Sequence, residues 1–154
     1  MGEREDQRER VNRELVELLQ ELRVALPGVQ VLFAFLLTVP FSQGFVKTTS
    51  FQRDLFFATL AATAISTVLL IAPSAWHRIQ FRQKNKEDVL LSANKLSMAG
   101  LTFLALAMIG AVMLIADFAF SVTLTVISGI VATLVLSTFW AAIPLIRRPG
   151  RPRT

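Results

Sequence analysis

Four long stretches of the chain contain no ionisable side chain, and short charged segments separate them. The stretches cover 24–46, 55–76, 96–116 and 118–146, and each has at least 21 residues. A helix rises about 1.5 Å per residue and the hydrocarbon core of a bilayer is about 30 Å thick, so roughly 20 apolar residues cross it. The pattern therefore predicts an all-α, polytopic membrane protein with four transmembrane helices.

Only Asp117 separates the last two stretches. One helix from 96 to 146 would be about 75 Å long, more than twice the apolar thickness of a bilayer. The chain must therefore turn back within 117–121, and the fourth span follows this hairpin. The predicted transmembrane domain is 24–146, with spans at about 24–46, 55–76, 96–116 and 121–146.

Pro40 lies inside the first predicted span. Proline has no amide hydrogen, and its ring clashes with the carbonyl four residues earlier, here that of Leu36. The Val, Leu and Phe residues around it favour insertion into lipid. We therefore expect this helix to kink at Pro40 and to continue to residue 46.

The first 23 residues are expected to form an N-terminal amphipathic helix. Its apolar side chains recur at three- and four-residue spacing, opposite a charged arc, and they are Val11, Leu15, Leu18, Leu19 and Leu22. This helix could lie on the bilayer surface or pack on the second loop. Alternatively it docks or self-associates, because four of its apolar residues follow a heptad pattern.

The basic residues predict the orientation of the spans. The chain has 16 Lys and Arg residues, of which 14 lie before the first span, in the second loop or after the fourth span, and two lie in the first loop. Basic loops stay on the cytoplasmic side. The pattern predicts a multi-pass protein of the plasma (inner) membrane with both termini cytoplasmic, and residues 147–154 form a basic cytoplasmic tail.

The composition argues against several kinds of chemistry. The chain has no cysteine and one histidine, and no span contains an ionisable residue. A metal cage, a catalytic triad or a proton relay needs such residues together at one site. We therefore predict no catalytic site, cofactor or metal, and an enzyme is the least favoured class.

Asp117 is the ionisable residue nearest to membrane depth. We interpret it as a turn residue at the outer interface, able to pair with Lys47 or Arg53. The alternative is that its carboxylate lies at the mouth of a pathway through the membrane.

Small and hydroxyl residues recur at four-residue spacing in the predicted spans. The fourth span carries the longest row: Thr125, Gly129, Thr133, Ser137 and Ala141. Such rows let helix backbones approach closely in lipid, so we interpret this one as a helix-packing stripe. The alternative is that hydroxyls of the second and fourth spans line a narrow pore.

The second loop interleaves aromatic and basic residues directly after a span. These residues suit contacts with lipid head groups or a partner protein, and they are Trp76, His77, Arg78, Arg82, Lys84 and Lys86. A nucleic-acid partner is not expected, because the patch is held against a bilayer.

Three short strings flank the predicted spans, at Glu21–Val24, Ala72–Arg78 and Ala93–Lys95. With the four-span layout they resemble a bacterial family of four-helix integral membrane proteins of similar length that has no assigned function. Some relatives carry the label sodium:proton antiporter, which fits poorly with spans that lack carboxylates. The resemblance supplies no catalytic or binding residues.

Two functional hypotheses follow from these patterns. The first is a non-enzymatic assembly or scaffold-type protein that presents its cytoplasmic helix and basic loop to partners. Its partners would be the bilayer, further copies of the chain or another membrane protein. The second is a homo-oligomeric channel or small transporter for an ion or small solute.

Reporter fusions test the predicted orientation. Green fluorescent protein at either terminus should fluoresce, and alkaline phosphatase at either terminus should stay inactive, because both ends lie in the cytoplasm. Alkaline phosphatase inserted after residue 47 should be active. Opposite results for the two termini would contradict the even number of spans.

Overall fold

The computed structural model describes residues 2–79 and 86–142. These residues form four α-helices, and no strand occurs among them. Two 3₁₀ turns join α1 to α2, and a π-helical turn over Thr138–Ala142 follows α4. The helices are α1 (Gly2–Thr38), α2 (Ser50–Ile79), α3 (Lys86–Ala119) and α4 (Val122–Ser137).

Each helix is long and apolar enough to cross a membrane. The apolar segments are Val16–Phe41, Ser50–Ala75, Leu91–Ala119 and Val122–Trp140. The predicted all-α fold with four such helices is confirmed. We call the end of the bundle that holds residues 39–49 and 120–121 the loop end, and the opposite end the tail end.

The predicted hairpin before the fourth span is also confirmed. Helix α3 ends at Ala119 and α4 begins at Val122, so two residues make the turn. Asp117 lies in the last turn of α3 and Ser121 is the N-cap of α4. Because the turn is this short, the end of α3 and the first turn of α4 are held side by side.

The prediction of a kink at Pro40 was wrong, because α1 ends at Thr38. Pro40 cannot donate to the helix ladder, and its ring would clash with the Leu36 carbonyl. The chain instead forms a 3₁₀ turn over Val39–Phe41, closed by the Ser42 amide donating to the Val39 carbonyl over 3.1 Å. The first apolar segment, Val16–Phe41, therefore ends earlier than the predicted residue 46.

Residues 2–23 do not form a separate element in this structure. Helix α1 passes the predicted boundary at residues 23 and 24 without a break, and it also contains Pro27. Leu22 is buried in the bundle and Leu18 packs beside it. The side chains of Val11 and Leu15 lie outside the described residues, so an independent amphipathic helix stays a prediction.

Helices α1, α2 and α3 form a core through faces that repeat every seven residues. Alternating steps of four and three residues keep side chains on one face of a helix. Most residues on these faces are buried and the others are half-buried. They are Leu18, Leu22, Ala25, Val29, Leu32 and Leu36 in α1, with Val39 in the 3₁₀ turn after it; Phe56, Thr59, Thr63, Ser66, Leu70 and Pro73 in α2; and Ala93, Ser97, Gly100, Leu104, Ala107, Ala111 and Leu114 in α3.

Helices α2 and α3 share the most extensive contact of the bundle. Two glycines of α3 allow it: a Cβ on Gly100 would lie 2.8 Å from Cγ and Cδ2 of Leu70, and one on Gly110 would overlap the Thr59 hydroxyl. The Ser66 hydroxyl donates to the Gly100 carbonyl over 2.8 Å. Short side chains and one interhelical hydrogen bond therefore bring the two backbones together.

Helix α4 is attached differently from the other three helices. Within the described residues it contacts α3, whereas α1 contacts both α2 and α3. Only Thr125 and Gly129 of α4 are buried. The fold is thus a three-helix core with a fourth helix packed along one side of α3.

Replacing Gly100 with alanine tests the close contact of α2 and α3. Leu70 is fully buried, so its side chain can shift only by disturbing its neighbours, and overpacking should cost about 1 to 3 kcal/mol. Alanine also favours helix by up to about 1 kcal/mol over glycine. Gly28→Ala is the matched control, because nothing lies within 4 Å of a Cβ at that helical position.

The measurement is the free energy of unfolding in lipid bicelles. Gly28→Ala should be neutral or stabilising, and Gly100→Ala should be destabilising relative to it. Equal stability of the two variants would show that α2 and α3 do not approach as described.

Candidate functional site

A polar cluster at the loop end joins three helices around Asp117. The Gln52 side-chain amide, from the first turn of α2, donates to Asp117 Oδ2 over 2.8 Å. The Thr125 hydroxyl, from the first turn of α4, lies 3.4 Å from Asp117 Oδ1. We call Gln52, Asp117 and Thr125 the clasp, because these contacts link α2 and α4 to the end of α3.

A reciprocal cap fixes the orientation of Gln52. The Thr49 backbone amide donates to Gln52 Oε1 over 3.0 Å, and the Gln52 backbone amide donates to Thr49 Oγ1 over 3.2 Å. This pairing satisfies two backbone amides at the start of α2. Since its oxygen is held by Thr49, the side chain of Gln52 directs its NH₂ group to Asp117.

Thr125 is the most buried member of the clasp, with 3% of its surface exposed. Its hydroxyl lies 3.2 Å from the Ser121 carbonyl as well as near Asp117. The two-residue turn between α3 and α4 explains how side chains eight positions apart meet. The hydroxyl has one hydrogen to share between these two acceptors, and its contact with Asp117 of α3 is the longer of the two.

The sequence suggested that Asp117 could pair with Lys47 or Arg53. Neither ion pair is present in the structure. Among the described residues the ion pair present is Arg10 with Glu14, four positions apart on an exposed face of α1. A carboxylate in the last turn of a helix is disfavoured by the helix dipole. The Gln52 side chain, a neutral donor, offsets part of this cost through its hydrogen bond to the Asp117 side chain.

The loop between α1 and α2 packs against the same end of the bundle. The rings of Phe45 and Phe56 meet edge to face, with centroids 5.3 Å apart and planes at 73°. The Thr48 hydroxyl donates to the Phe45 carbonyl over 2.7 Å, which closes the second 3₁₀ turn. Leu36 of α1 and Leu114 of α3 complete an apolar cluster with Phe56 beneath this loop.

The hydroxyls of α2 bond to helix carbonyls. Thr59, Thr63 and Thr67 donate to the carbonyls four residues earlier, over 2.7, 2.7 and 2.8 Å. Thr59 and Thr63 are buried between helices. Within the described residues, every buried side-chain nitrogen or oxygen has a hydrogen-bond partner.

The sequence of the whole bundle matches a known protein family. A model of a family of unknown function, DUF6328, matches residues 4–144. The chain belongs to this family. No curated protein and no solved structure matches it. This match confirms the resemblance to a family of unknown function, and it covers most of the chain.

The predicted packing stripe of this DUF6328 member does not stay on one face of α4. Thr125 and Gly129 are buried against α3, but Thr133 and Ser137 are exposed. A step of four residues turns a helix by about 400°, so each step moves the row about 40° further round. The half-buried Ala132 and Leu136 continue the α3-facing side instead, at spacings of three and four.

Other predicted site residues fall partly outside the described part of the chain. Ala141 lies in the π-helical turn, and its side chain is outside that part. Trp76, His77 and Arg78 belong to the last turns of α2 and Lys86 begins α3, but none of these side chains is described; Arg82 and Lys84 lie in the gap. The predicted contact surface for lipid heads or partners therefore stays a prediction.

The described residues, 2–79 and 86–142, contain no candidate metal site. No group of three or more His, Cys, Asp or Glu side chains among them could hold an ion. The polar chemistry that these residues do assemble is the clasp.

Sequence reasoning missed Gln52, although a signal was present. Thr49-Ser50-Phe51-Gln52 is a capping-box pattern, a Ser or Thr followed three residues later by Glu or Gln. The pattern begins at Thr49, directly before α2 and eight residues after the first 3₁₀ turn ends at Phe41. It could have placed a fixed amide donor at the same end as Asp117.

Gln52→Leu tests the contribution of the clasp to stability. The change removes the hydrogen bond to a charged acceptor and half of the cap, which should cost about 1 to 3 kcal/mol. Gln43→Leu is the matched control, since Gln43 is exposed in the loop between α1 and α2. The free energy of unfolding in bicelles should fall for Gln52→Leu and stay unchanged for Gln43→Leu. Equal effects at both positions would argue against the clasp.

Proposed function

We propose that this DUF6328 protein is a non-enzymatic membrane protein that acts by assembling with further copies of itself or with other membrane proteins. The observation that carries the proposal is the attachment of α4. Its contacts are with α3, and most of its apolar surface is left uncovered by the rest of the described chain.

The chemistry of the uncovered surface of α4 supports contact with another helix. Thr133 and Ser137 are exposed at positions where the helix crosses lipid. The Thr133 hydroxyl donates to the Gly129 carbonyl of its own helix over 2.8 Å, so this residue would serve close packing of helices. In lipid, association depends on close packing and interhelical hydrogen bonds rather than on burial of apolar area. Gly129, in the same row, already shows such an approach, since a Cβ there would lie 2.8 Å from Met113 Sδ.

The arrangement of hydroxyls in α2 favours assembly over a pathway inside one subunit. Thr59 and Thr63 are buried and donate to carbonyls of their own helix. Hydroxyls used in this way support helix packing and offer few free groups to a passing solute. An ion pathway would need hydroxyls or carbonyls that line an open channel.

The distribution of charge supports the orientation proposed for this assembly. Fourteen of the 16 Lys and Arg residues come before the first predicted span, between the second and third, or after the fourth, and two come between the first and second. We infer that the protein lies in the plasma membrane with its tail end facing the cytoplasm. The start of α1 and the basic second loop would then be presented there to partners or lipid heads.

Cysteine crosslinking in native membranes tests assembly through α4. The chain has no cysteine, so each introduced thiol is the only one present. Thr133→Cys and Ser137→Cys should give disulfide-linked dimers on mild oxidation. Val131→Cys is the control, because it is exposed at similar depth but lies about 120 to 160° round the helix from the other two.

The outcomes of this experiment separate three cases. Dimers from Thr133 and Ser137 but not from Val131 support the proposal. Equal crosslinking at all three positions would contradict the assigned face. Monomers throughout, together with a monomeric mass in lipid nanodiscs and no co-purifying protein, would overturn assembly as the function.

The second candidate is a homo-oligomeric channel or small transporter. The observation in its favour is that the Asp117 carboxylate lies two residues before the end of the third apolar segment, where it would stand at the mouth of a pathway through the membrane. Proteoliposome flux assays should compare the natural chain with Asp117→Asn and Thr63→Val. Flux no greater than in empty vesicles would remove this candidate.

A further inference from the structure

One end of α4 is held firmly. The Thr125 hydroxyl lies near Asp117 of α3, and Gln52 of α2 donates to the same carboxylate. Thr125 and Gly129 are the two buried residues of the helix, and both belong to its first two turns. The two-residue turn at Phe120 and Ser121 further restricts how far this end can move from α3.

Within the described residues, the other half of α4 is held only by half-buried side chains. No residue from 130 to 140 is buried, and only Ala132 and Leu136 are half-buried. The exposed fractions remain large towards the tail end, at 61% for Leu134 and 66% for Phe139. Apolar exposure of this kind is stable in lipid, but lipid does not fix the angle between two helices.

A flexible side chain occupies the boundary between the two halves. Met113 of α3 packs against Gly129, where a Cβ would lie 2.8 Å from the sulfur. Methionine has three rotatable bonds and a polarisable thioether, so it maintains contact through small changes of geometry. A contact made by a small residue and a methionine tolerates a change in helix angle better than interlocked leucines do.

We propose that α4 is a hinged arm, fixed at the loop end by the clasp and able to change its angle to α3 at the tail end. The pivot lies at Thr125 and Gly129. The hinge is a property of a single chain, so it goes beyond assembly and its test does not depend on assembly. The hinge would let the distance between α4 and α3 change in the half of the membrane nearer the tail end.

Distance measurement between paired spin labels tests the hinge in the cysteine-free chain. The near pair is Ile115→Cys with Val126→Cys, and the far pair is Thr102→Cys with Ser137→Cys; all four positions are exposed. Labelled protein in lipid bilayers is diluted with excess unlabelled chain, which removes distances between copies. The far pair should give a distribution at least about twice as wide as that of the near pair, because the helix is fixed at one end.

An isosteric variant then tests the role of the clasp. Thr125→Val removes the hydroxyl that meets Asp117, and Thr123→Val removes an exposed hydroxyl from the same turn of α4. Thr125→Val should broaden the near pair, whereas Thr123→Val should leave it unchanged.

Two results would overturn the hinge. One is a far pair as narrow as the near pair in the natural background, which needs no clasp variant and shows a rigid α4. The other is a near pair that responds equally to Thr125→Val and Thr123→Val, which shows that the clasp does not fix this end.

Discussion

The fold depends on close contact between α2 and α3 in a solvent that does not drive helices together. Lipid tails are as apolar as leucine, so covering apolar surface contributes little, and van der Waals contact and hydrogen bonds must hold the helices. Short residues provide this contact: Gly100 admits Leu70, and Gly110 admits Thr59. The Ser66 hydroxyl adds a bond to the Gly100 carbonyl. Helix α1 then packs on the surface that α2 and α3 form together.

This order of attachment explains why α4 differs from the other helices. The three core helices each use a seven-residue repeat, which keeps one face of each helix towards its neighbours through most of the bundle. The row of small and hydroxyl residues in α4 repeats every four residues and turns away from α3 after Gly129, where Ala132 and Leu136 continue the contact as half-buried residues. The two buried residues of α4, the short turn and the clasp all lie in the half nearer the loop end. The same geometry leaves Thr133 and Ser137 for contacts outside the chain.

The sequence predicted the parts of the fold that follow from charge and length. Gaps between ionisable residues located the four helices, and the length of 96–146 required the turn that is found at Phe120 and Ser121. The end of α1 was misplaced because the apolar residues after Pro40 were given more weight than the backbone clash that proline creates. The clasp was missed because it joins residues 65 positions apart, Gln52 and Asp117, through one hydrogen bond. Charge patterns along a sequence do not reveal a neutral partner for a carboxylate.

The most direct test of this account is a disulfide between α2 and α3. A Cβ on Gly110 would lie 3.3 Å from Cβ of Thr59, close to the separation of about 3.5 to 4.5 Å that disulfides adopt. With no other cysteine present, Thr59→Cys combined with Gly110→Cys should form an intramolecular bond in lipid membranes, identified by mass spectrometry of the linked peptides. Ala58→Cys with Gly110→Cys should not, because Ala58 is exposed on another face. Failure of the first pair to crosslink, or equal crosslinking of both pairs, would contradict the α2–α3 contact on which the fold depends.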